Sequence, residues 1–355
     1  MNVVINNRIK ELSNTFIALF FGVIGGIVFS LLNLPLAWML GAMAATSIVA
    51  ATRIKIEVTP YLQKTMISVV GVFLGCAFSP SIYMEILNWT MSLVILAGFL
   101  ITVTLVVCMI LRHLGYDWAT AFFSALPAGL TEMSLVGAEY GGNQKIIVLN
   151  HTVRVMVVAF IIPFSIFYFQ DIDRTTLAIS TSTPSQPVDY LILLFCAVVG
   201  MWLGIKLKIP AGPLAVPLIL SALVHVYGYT SAIPPDNLII IAQIVLGSAV
   251  GARLSGVTIT NLRQTCVIAF AISIGVLTFS TIIAWLLAPF LHVQPITLLL
   301  ALAPGGVTEM SLIALATNQD IAFITTHHVV RISLLIIIGP LTYTGLKNIL
   351  KTIKQ

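Results

Sequence analysis

The chain has 355 residues, of which 59% are hydrophobic and only 8% are charged, and its formal net charge is +5. Soluble globular domains carry about a quarter charged residues, so this composition excludes a soluble protein. The basic residues are scattered singly over short loops, which excludes a nucleic-acid-binding surface and is typical of topology signals at the ends of membrane spans.

Apolar stretches long enough for a helix to cross a bilayer recur along the chain. In the first half they are predicted at residues 15–32, 34–52, 65–83, 88–111 and 146–169, with a further apolar segment at 118–138. In the second half they are predicted at 189–205, 209–229, 237–254, 265–289 and 321–345, with a further segment at 297–316. The first span follows a basic start without a small-x-small cleavage site, which predicts an uncleaved helix. The pattern predicts an all-α polytopic integral membrane protein.

One phrase occurs twice: LPAGLTEMS at 126–134 and APGGVTEMS at 303–311. The match is wider than the phrase, because residues 125–163 align with 302–340 without a gap. Gly71-x-x-x-Gly75 likewise matches Gly247-x-x-x-Gly251, a spacing that lets membrane helices approach closely. The sequence therefore predicts two membrane repeats, residues 1–178 and 179–355, joined at the polar stretch 171–189. Internal duplication is the usual plan of secondary transporters.

The Lys and Arg residues of the loops indicate how the repeats are oriented. If the segments 118–138 and 297–316 are re-entrant, each repeat has about five crossings and the second repeat is inverted. That arrangement places both termini and nearly all loop Lys and Arg in the cytoplasm, with Arg174 outside. If the two segments cross fully, the repeats are parallel and many basic loops face the wrong side. The bias favours the inverted arrangement.

Each repeated phrase contains helix-breaking residues in the middle of an apolar segment. Pro127 and Gly129 interrupt 118–138, and Pro304 with Gly305-Gly306 interrupts 297–316. Because Pro removes an amide and Gly loosens the backbone, each segment is predicted to be helix–break–helix. The first turn after each break would point its free N–H groups and positive dipole end into a protein-lined cavity. Thr131 or Thr308 is a candidate cap for that turn.

The carboxylates Glu132 and Glu309 have three interpretations. Each could lie in a solvated surface loop, in a structural salt bridge, or in a site that binds substrate or a coupling ion. Arg154 and Arg331 are the predicted partners, at about 12 and 15 Å from opposite membrane surfaces by helix rise. An arginine at that depth costs several kcal/mol unless it is paired, and by default it marks a functional site.

The residues on one face of the helix after each phrase complete the site. They lie at helical spacing and therefore share that face. The candidate substrate- or ion-binding residues are Thr131, Glu132, Ser134, Asn150, His151 and Arg154, with Thr308, Glu309, Ser311, His327, His328 and Arg331 in the second repeat. Arginine is the best carboxylate receptor among side chains, so small organic anions are the favoured substrate class. The histidines could relay protons or simply donate hydrogen bonds to neighbours, and both alternatives stay open.

These residues carry a family resemblance. The paired P-x-G-x-x-E-M phrase, the Val153-Arg154 and Val330-Arg331 steps and the Leu34-Pro35 start of the second span resemble the AbrB-type membrane proteins. The resemblance implies a duplicated protein of the bacterial inner (cytoplasmic) membrane. Members of that family carry labels such as regulator of gene expression or ammonia monooxygenase, and neither label follows from these residues.

The favoured function is secondary transport of a small anionic solute, coupled to Na⁺ or H⁺ and needing no cofactor. The alternative is a membrane sensor or regulatory protein that influences gene expression indirectly, without transport. The scattered histidines do not form a metal site at ligand spacing, which argues against a monooxygenase. We do not expect an enzyme. The expected partners are the solute and the lipid bilayer, not nucleic acid, and a homo-oligomer is left open.

Overall fold

The computed structural model describes residues 2–52, 54–78, 80, 88–169, 186–255 and 259–353, which are helical and contain no strand. The helices are α1 (Asn2–Leu31), α2 (Ala37–Ala50), α3 (Pro60–Gly75), α4 (Thr90–His113), α5 (Trp118–Ala125), α6 (Leu130–Glu139), α7 (Gln144–Phe169), α8 (Pro187–Lys206), α9 (Gly212–Val226), α10 (Asp236–Ala252), α11 (Ile259–Leu291), α12 (Pro295–Leu302), α13 (Val307–Ala316) and α14 (Ile321–Ile353). The all-α prediction is confirmed for these residues.

Six of the described helices contain stretches long and apolar enough to cross a membrane. They lie in α1, α4, α7, α8, α11 and α14, at Lys10–Leu31, Thr90–His113, Gln144–Tyr168, Pro187–Lys206, Arg263–Leu291 and Ile321–Leu346. Each coincides with a predicted span. Their length and composition are those of the helices of membrane proteins.

Four other predicted spans are shorter helices than the sequence pattern suggested. α2, α3, α9 and α10 have 14, 16, 15 and 17 residues, below the ~20 residues that span a ~30 Å core. In α2 and α9 the helix starts late because Leu36 and Ala211, which precede their first residues, have left-handed backbones. α3 begins at Pro60, earlier than predicted, and the end of its predicted span, residues 79 and 81–83, lies outside the described residues.

The first of two compact units comprises Met1–Met84, Ala159–Leu262 and Ser311–Ala322. Within it α2 packs against α1 and α10, and α9 packs against α3 and α8. The glycines of the two G-x-x-x-G motifs lie at these crossings. A methyl group on Gly71 would come within 2.6 Å of the Leu214 carbonyl oxygen, and one on Gly251 within 2.6 Å of the Met43 carbonyl oxygen. The predicted role of these glycines in close helix packing is confirmed.

The second unit comprises Glu85–Val158, Arg263–Met310 and Phe323–Gln355. It contains α4, α5, α6, the first part of α7, α11, α12, the start of α13, and α14. Both predicted breaks lie in this unit. Each compact unit thus takes segments from both of the predicted repeats, 1–178 and 179–355, and neither unit coincides with one repeat.

The duplication is visible in the backbone itself. α5, α6 and the start of α7 recur as α12, α13 and the start of α14, with every boundary moved by the same number of residues. Unusual positive φ angles also recur at matched places: Asn33 with Lys208, Leu36 with Ala211, Gly115 with His292, and Gly141 with Asn318. Non-glycine residues rarely adopt this conformation, so its repetition reflects a common local fold.

Candidate functional site

The first break, residues 126–129, interrupts the backbone between α5 and α6. Leu126 is extended, with φ −61° and ψ 120°, as expected for a residue that precedes proline. Gly129 is the N-cap of α6, also extended, with φ −60° and ψ 132°. The second break, residues 303–306, repeats this geometry, because Ala303 precedes Pro304 and has φ −54° and ψ 134°. The predicted helix–break–helix arrangement is confirmed in both copies.

The last carbonyls of α5 are bound by side chains from α7. His151 Nε2 lies 2.9 Å from the Phe123 carbonyl oxygen. Arg154 Nη1 donates to the Leu126 carbonyl at 3.3 Å, and its Nη2 lies 2.8 Å from His151 Nδ1. We call His151 and Arg154 the first His–Arg pair. A helix end leaves carbonyls without intrahelical partners, and this pair supplies those partners inside the protein.

The second His–Arg pair, His328 and Arg331 on α14, binds the end of α12 in the same way. His328 Nε2 lies 2.8 Å from the Leu300 carbonyl oxygen, and Arg331 Nη2 lies 2.8 Å from His328 Nδ1. Arg331 donates to the carbonyls of Ala303 and Gly305, each at 2.7 Å. The second arginine therefore binds one more carbonyl than the first does, and binds it within the break itself.

These contacts define the protonation of the two imidazoles. Arginine has only N–H donors, so the Nδ1 atoms of His151 and His328 accept its hydrogen bonds. The backbone carbonyls can only accept, so each Nε2 carries the proton that it donates. Both rings are consequently neutral Nε2–H tautomers. The hydrogen-bonding interpretation of these histidines is therefore favoured over a proton relay.

Helix dipoles compensate the buried arginine charges. Arg154 and Arg331 are 8% and 1% exposed, and each guanidinium lies at the C-terminal, negative end of a short helix. A cation at such an end gains up to ~2 kcal/mol in a partly buried setting, in addition to its hydrogen bonds. In the part of the chain that the structure describes, the partners of both guanidinium groups are carbonyls and imidazoles, and the predicted contacts with Glu132 and Glu309 are not among them.

The two glutamates lie instead at the opposite dipole end. Glu132 and Glu309 are in the first turns of α6 and α13, and each carboxylate folds back over the glycine that precedes its helix. The Cβ that Gly129 or Gly306 lacks would collide with that carboxylate. A carboxylate at the third helical position commonly folds back in this way and favours the positive helix end.

The cap assignment to threonine is wrong. α6 begins at Leu130 with Gly129 as its N-cap, and no side chain bonds the cap. Thr131 and Thr308 are therefore the second residues of their helices. The helices start two residues earlier than predicted. At α6 the reason is that Gly129, two residues after Pro127, already adopts the extended cap conformation. The Thr131 side chain itself lies outside the described part of the structure.

A small cavity of about 20 Å³ lies within the second unit. Its polar lining comes from Ser124, Asn150, Arg154 and Ser273, and both Pro127 and Pro304 are part of its wall. The two breaks thus approach one shared cavity. About 10–15 Å³ is needed for one water molecule, so this cavity accepts a water molecule or one small polar group of a larger solute.

Two buried donors at this cavity have unused hydrogen-bonding capacity. Ser124 is 4% exposed and Arg154 is 8% exposed. Ser124 Oγ and Arg154 Nε have no hydrogen-bond partner among the described residues. A buried polar group without a partner costs about 1–3 kcal/mol, so such groups usually mark a place where a ligand or water binds.

Comparison with known proteins identifies the family. A family model described as transition state regulatory protein AbrB matches residues 38–347. The chain belongs to the AbrB family. It is 25% identical over 369 residues to "Uncharacterized protein YhjN" of Bacillus subtilis (strain 168), covering 97% of this chain and 94% of that protein. It is 24% identical over 320 residues to "Putative regulator AbrB" of Escherichia coli (strain K12), covering 88% and 90%.

The cavity of this AbrB-family chain contains Asn150 and Arg154 from the predicted site. His151 lies behind Arg154 and orients it. His327 is instead 2.9 Å from Ser92 Oγ and 2.7 Å from the Phe323 carbonyl. Ser134 and Ser311 are buried and Thr308 is half-buried; none of these three is among the residues that line the cavity.

Sequence reasoning missed the two serines of the cavity. Ser124 lies three residues before Pro127 in an apolar helix, and Ser273 lies in the middle of α11. Their only signal was a hydroxyl inside a membrane span. That signal is weak, because Ser273 Oγ also donates to the Ala269 carbonyl at 2.6 Å, a bond that satisfies serine in many helices. No group of three or more His, Cys, Asp or Glu suited to a metal ion occurs among the described residues.

Proposed function

We propose that this AbrB-family protein is a secondary transporter of a small carboxylate-bearing solute across the bacterial inner membrane. The proposal rests on one observation: both helix breaks form part of the wall of the same cavity. At that cavity Arg154 Nε and Ser124 Oγ are buried donors without partners among the described residues.

The ligand class follows from these donors. A guanidinium N–H only donates, and a serine hydroxyl can donate to the same acceptor. Charge-assisted bonds to a carboxylate are shorter and stronger than neutral ones, so an anionic oxygen gains most at this position. The remaining wall is apolar, with Val103, Val107 and Val276 among its members. A polar head group held against an apolar wall is the usual composition of a small-molecule site.

The transport class follows from the duplication. Secondary transporters are commonly built from repeats, and their discontinuous helices meet at the substrate site. Two broken helices that line one cavity fit that arrangement. We further propose that the repeats are inverted, that both termini are cytoplasmic, and that Na⁺ or H⁺ drives transport. The proposal includes no chemical conversion of the solute and no cofactor.

A membrane sensor is the second candidate function. The name of the Escherichia coli relative, "Putative regulator AbrB", is the observation that favours it. Both functions require the same ligand to bind. Only a transporter moves that ligand between the two sides of a sealed vesicle, so uptake separates the two.

Ligand binding is tested by a stability screen. The purified parent protein in detergent is heated with acetate, lactate, succinate, citrate, amino acids or ammonium chloride, with sodium chloride as the ionic-strength control. We expect at least one carboxylate to raise the apparent Tm in a concentration-dependent way, since a ligand that binds only the folded state stabilises it. The matched variant is Ser124→Ala, which should weaken that shift. Stabilisation by ammonium alone would contradict an anion site.

A further inference from the structure

The residues that line the cavity have counterparts in the other half of the chain. α4 and α11 end with the same local geometry, because Gly115 and His292 both have positive φ. The amides that follow repeat their bonds: Tyr116 to the Leu111 carbonyl, and Val293 to the Ala288 carbonyl. The register between these two helices is thereby fixed, and each cavity residue has one defined counterpart.

Several of the counterparts differ in size and polarity. Ser124 corresponds to Ala301, Asn150 to His327, Ala269 to Ser92, Ser273 to Leu96, and Val276 to Phe99. Leu96 and Phe99 are 0% and 5% exposed. On α4 the bulkier Leu96 and Phe99 thus stand in place of Ser273 and Val276, whereas on α11 the smaller Ser280 and Ala284 stand in place of Val103 and Val107. The hydroxyl of Ser124, which has no partner among the described residues, is replaced by a methyl group.

His327 occupies the position that corresponds to Asn150. Its Nε2 lies 2.9 Å from Ser92 Oγ, and its ring stacks near Phe323 with centroids 4.0 Å apart. Trp89 packs edge-on against Phe323 with centroids 5.5 Å apart. His327 is fully buried among these groups. In the first half the corresponding Asn150 lines the cavity, and its Nδ2 donates to the carbonyl of Ile146, on its own helix, at 3.0 Å.

The Nε atoms of both arginines have no hydrogen-bond partner among the described residues, but their contacts with the breaks differ. Arg331 holds the second break through two carbonyl bonds of 2.7 Å. Arg154 holds the first break through a single longer carbonyl bond of 3.3 Å. Arg154 can therefore turn toward a ligand at lower cost than Arg331 can.

We infer that the two repeats have divided their roles: the solute carboxylate binds once per chain, at Ser124, Asn150 and Arg154, while the duplicate position around His327 and Arg331 is a plugged copy that holds the second break in place. This inference rests on the proposed function for the nature of the ligand. It departs from a symmetric site, in which both arginines would bind the solute.

The test transfers the residues at the His327 position to the corresponding position in the first half of the chain. Asn150→His with Ala269→Ser gives the first half the residues that close the second. The probe is the carboxylate that stabilises the parent most in the thermal screen, titrated by calorimetry into each protein in detergent. We expect a stoichiometry of one per chain for the parent and at least a tenfold loss of affinity in the exchanged variant. The reciprocal control, His327→Asn with Ser92→Ala, should bind with the parental affinity.

A milder variant covers the case in which the exchanged protein does not fold. Ser124→Ala introduces the residue that the second half already carries, and it should lower affinity about three- to tenfold. Two equivalent sites per chain, or parental affinity in both first-half variants, would overturn the division of roles while leaving carboxylate binding intact. Failure of every carboxylate to bind the parent would instead overturn the proposed function, and the inference with it.

Discussion

Replacing each arginine by methionine should separate its structural role from its binding role. Methionine is similar in length and apolar, so it removes the hydrogen bonds without leaving a large cavity. Arg331→Met leaves the carbonyls of Ala303 and Gly305 and the Nδ1 atom of His328 without their donor. Arg154→Met leaves only the Leu126 carbonyl and the Nδ1 atom of His151 without theirs.

The difference between the two variants is therefore one buried carbonyl. Leaving such a group unpaired costs about 1–3 kcal/mol, and membrane proteins lie at the low end because their hydrogen bonds average about 0.6 kcal/mol. We expect Arg331→Met to lower the free energy of unfolding by about 1–2 kcal/mol more than Arg154→Met. Folded Arg331→Met should still bind the carboxylate, whereas Arg154→Met should not.

The assay is reversible unfolding in mixed micelles, followed by circular dichroism, with calorimetric binding on the folded fraction of each variant. Equal destabilisation by the two substitutions would refute the assignment of unequal structural roles. Loss of binding in folded Arg331→Met, with binding kept in folded Arg154→Met, would reverse the assignment altogether.

Three further predictions concern helix packing, the glutamates and topology. Gly251→Ala should destabilise the protein by about 1–3 kcal/mol in a thermal unfolding assay, because its methyl group would meet the Met43 carbonyl. The control is Gly275→Ala, whose methyl group meets nothing within 4 Å. Equal effects of the two substitutions would contradict the packing role. Glu132→Gln should lower stability by only about 0.3–1 kcal/mol in the same assay, because the Glu132 carboxylate interacts with a helix end. The variant should still bind the carboxylate ligand. Complete loss of binding would show that Glu132 belongs to the binding site. A cysteine introduced at Ser185 on a cysteine-free background should react with an impermeant maleimide in intact cells, and labelling only after permeabilisation would contradict the inverted topology.

Local chemistry made the two breaks predictable from sequence. Pro127 has no backbone N–H to donate within a helix, and it forces the residue before it into an extended conformation. The interruption therefore follows from the local sequence alone. The same applies to Pro304. The exact helix start was missed: Gly129 takes the cap position that was assigned to Thr131, and α13 already begins at Val307, before Thr308.

The partners of the buried charges could not be predicted in this way. A sequence shows two arginines and two glutamates but not the carbonyl ends of short helices, which also accept hydrogen bonds from a guanidinium. Arg154 meets Leu126, a residue 28 positions earlier in the chain, only because α5 ends beside α7. The difference between Asn150 and His327 was visible in the sequence, but its meaning depends on Ser92, which the fold brings to His327 from α4.

Uptake into sealed vesicles tests the central claim most directly. Proteoliposomes are prepared with the parent, with Arg154→Met or with the control Gly275→Ala. They are preloaded with the unlabelled carboxylate that stabilises the purified parent best. The uptake of the radiolabelled form of that carboxylate in exchange is then followed. The account predicts rapid counterflow for the parent and the control, and counterflow no faster than in protein-free vesicles for Arg154→Met. Counterflow through Arg154→Met at the parental rate, or binding by the parent without any counterflow, would contradict it.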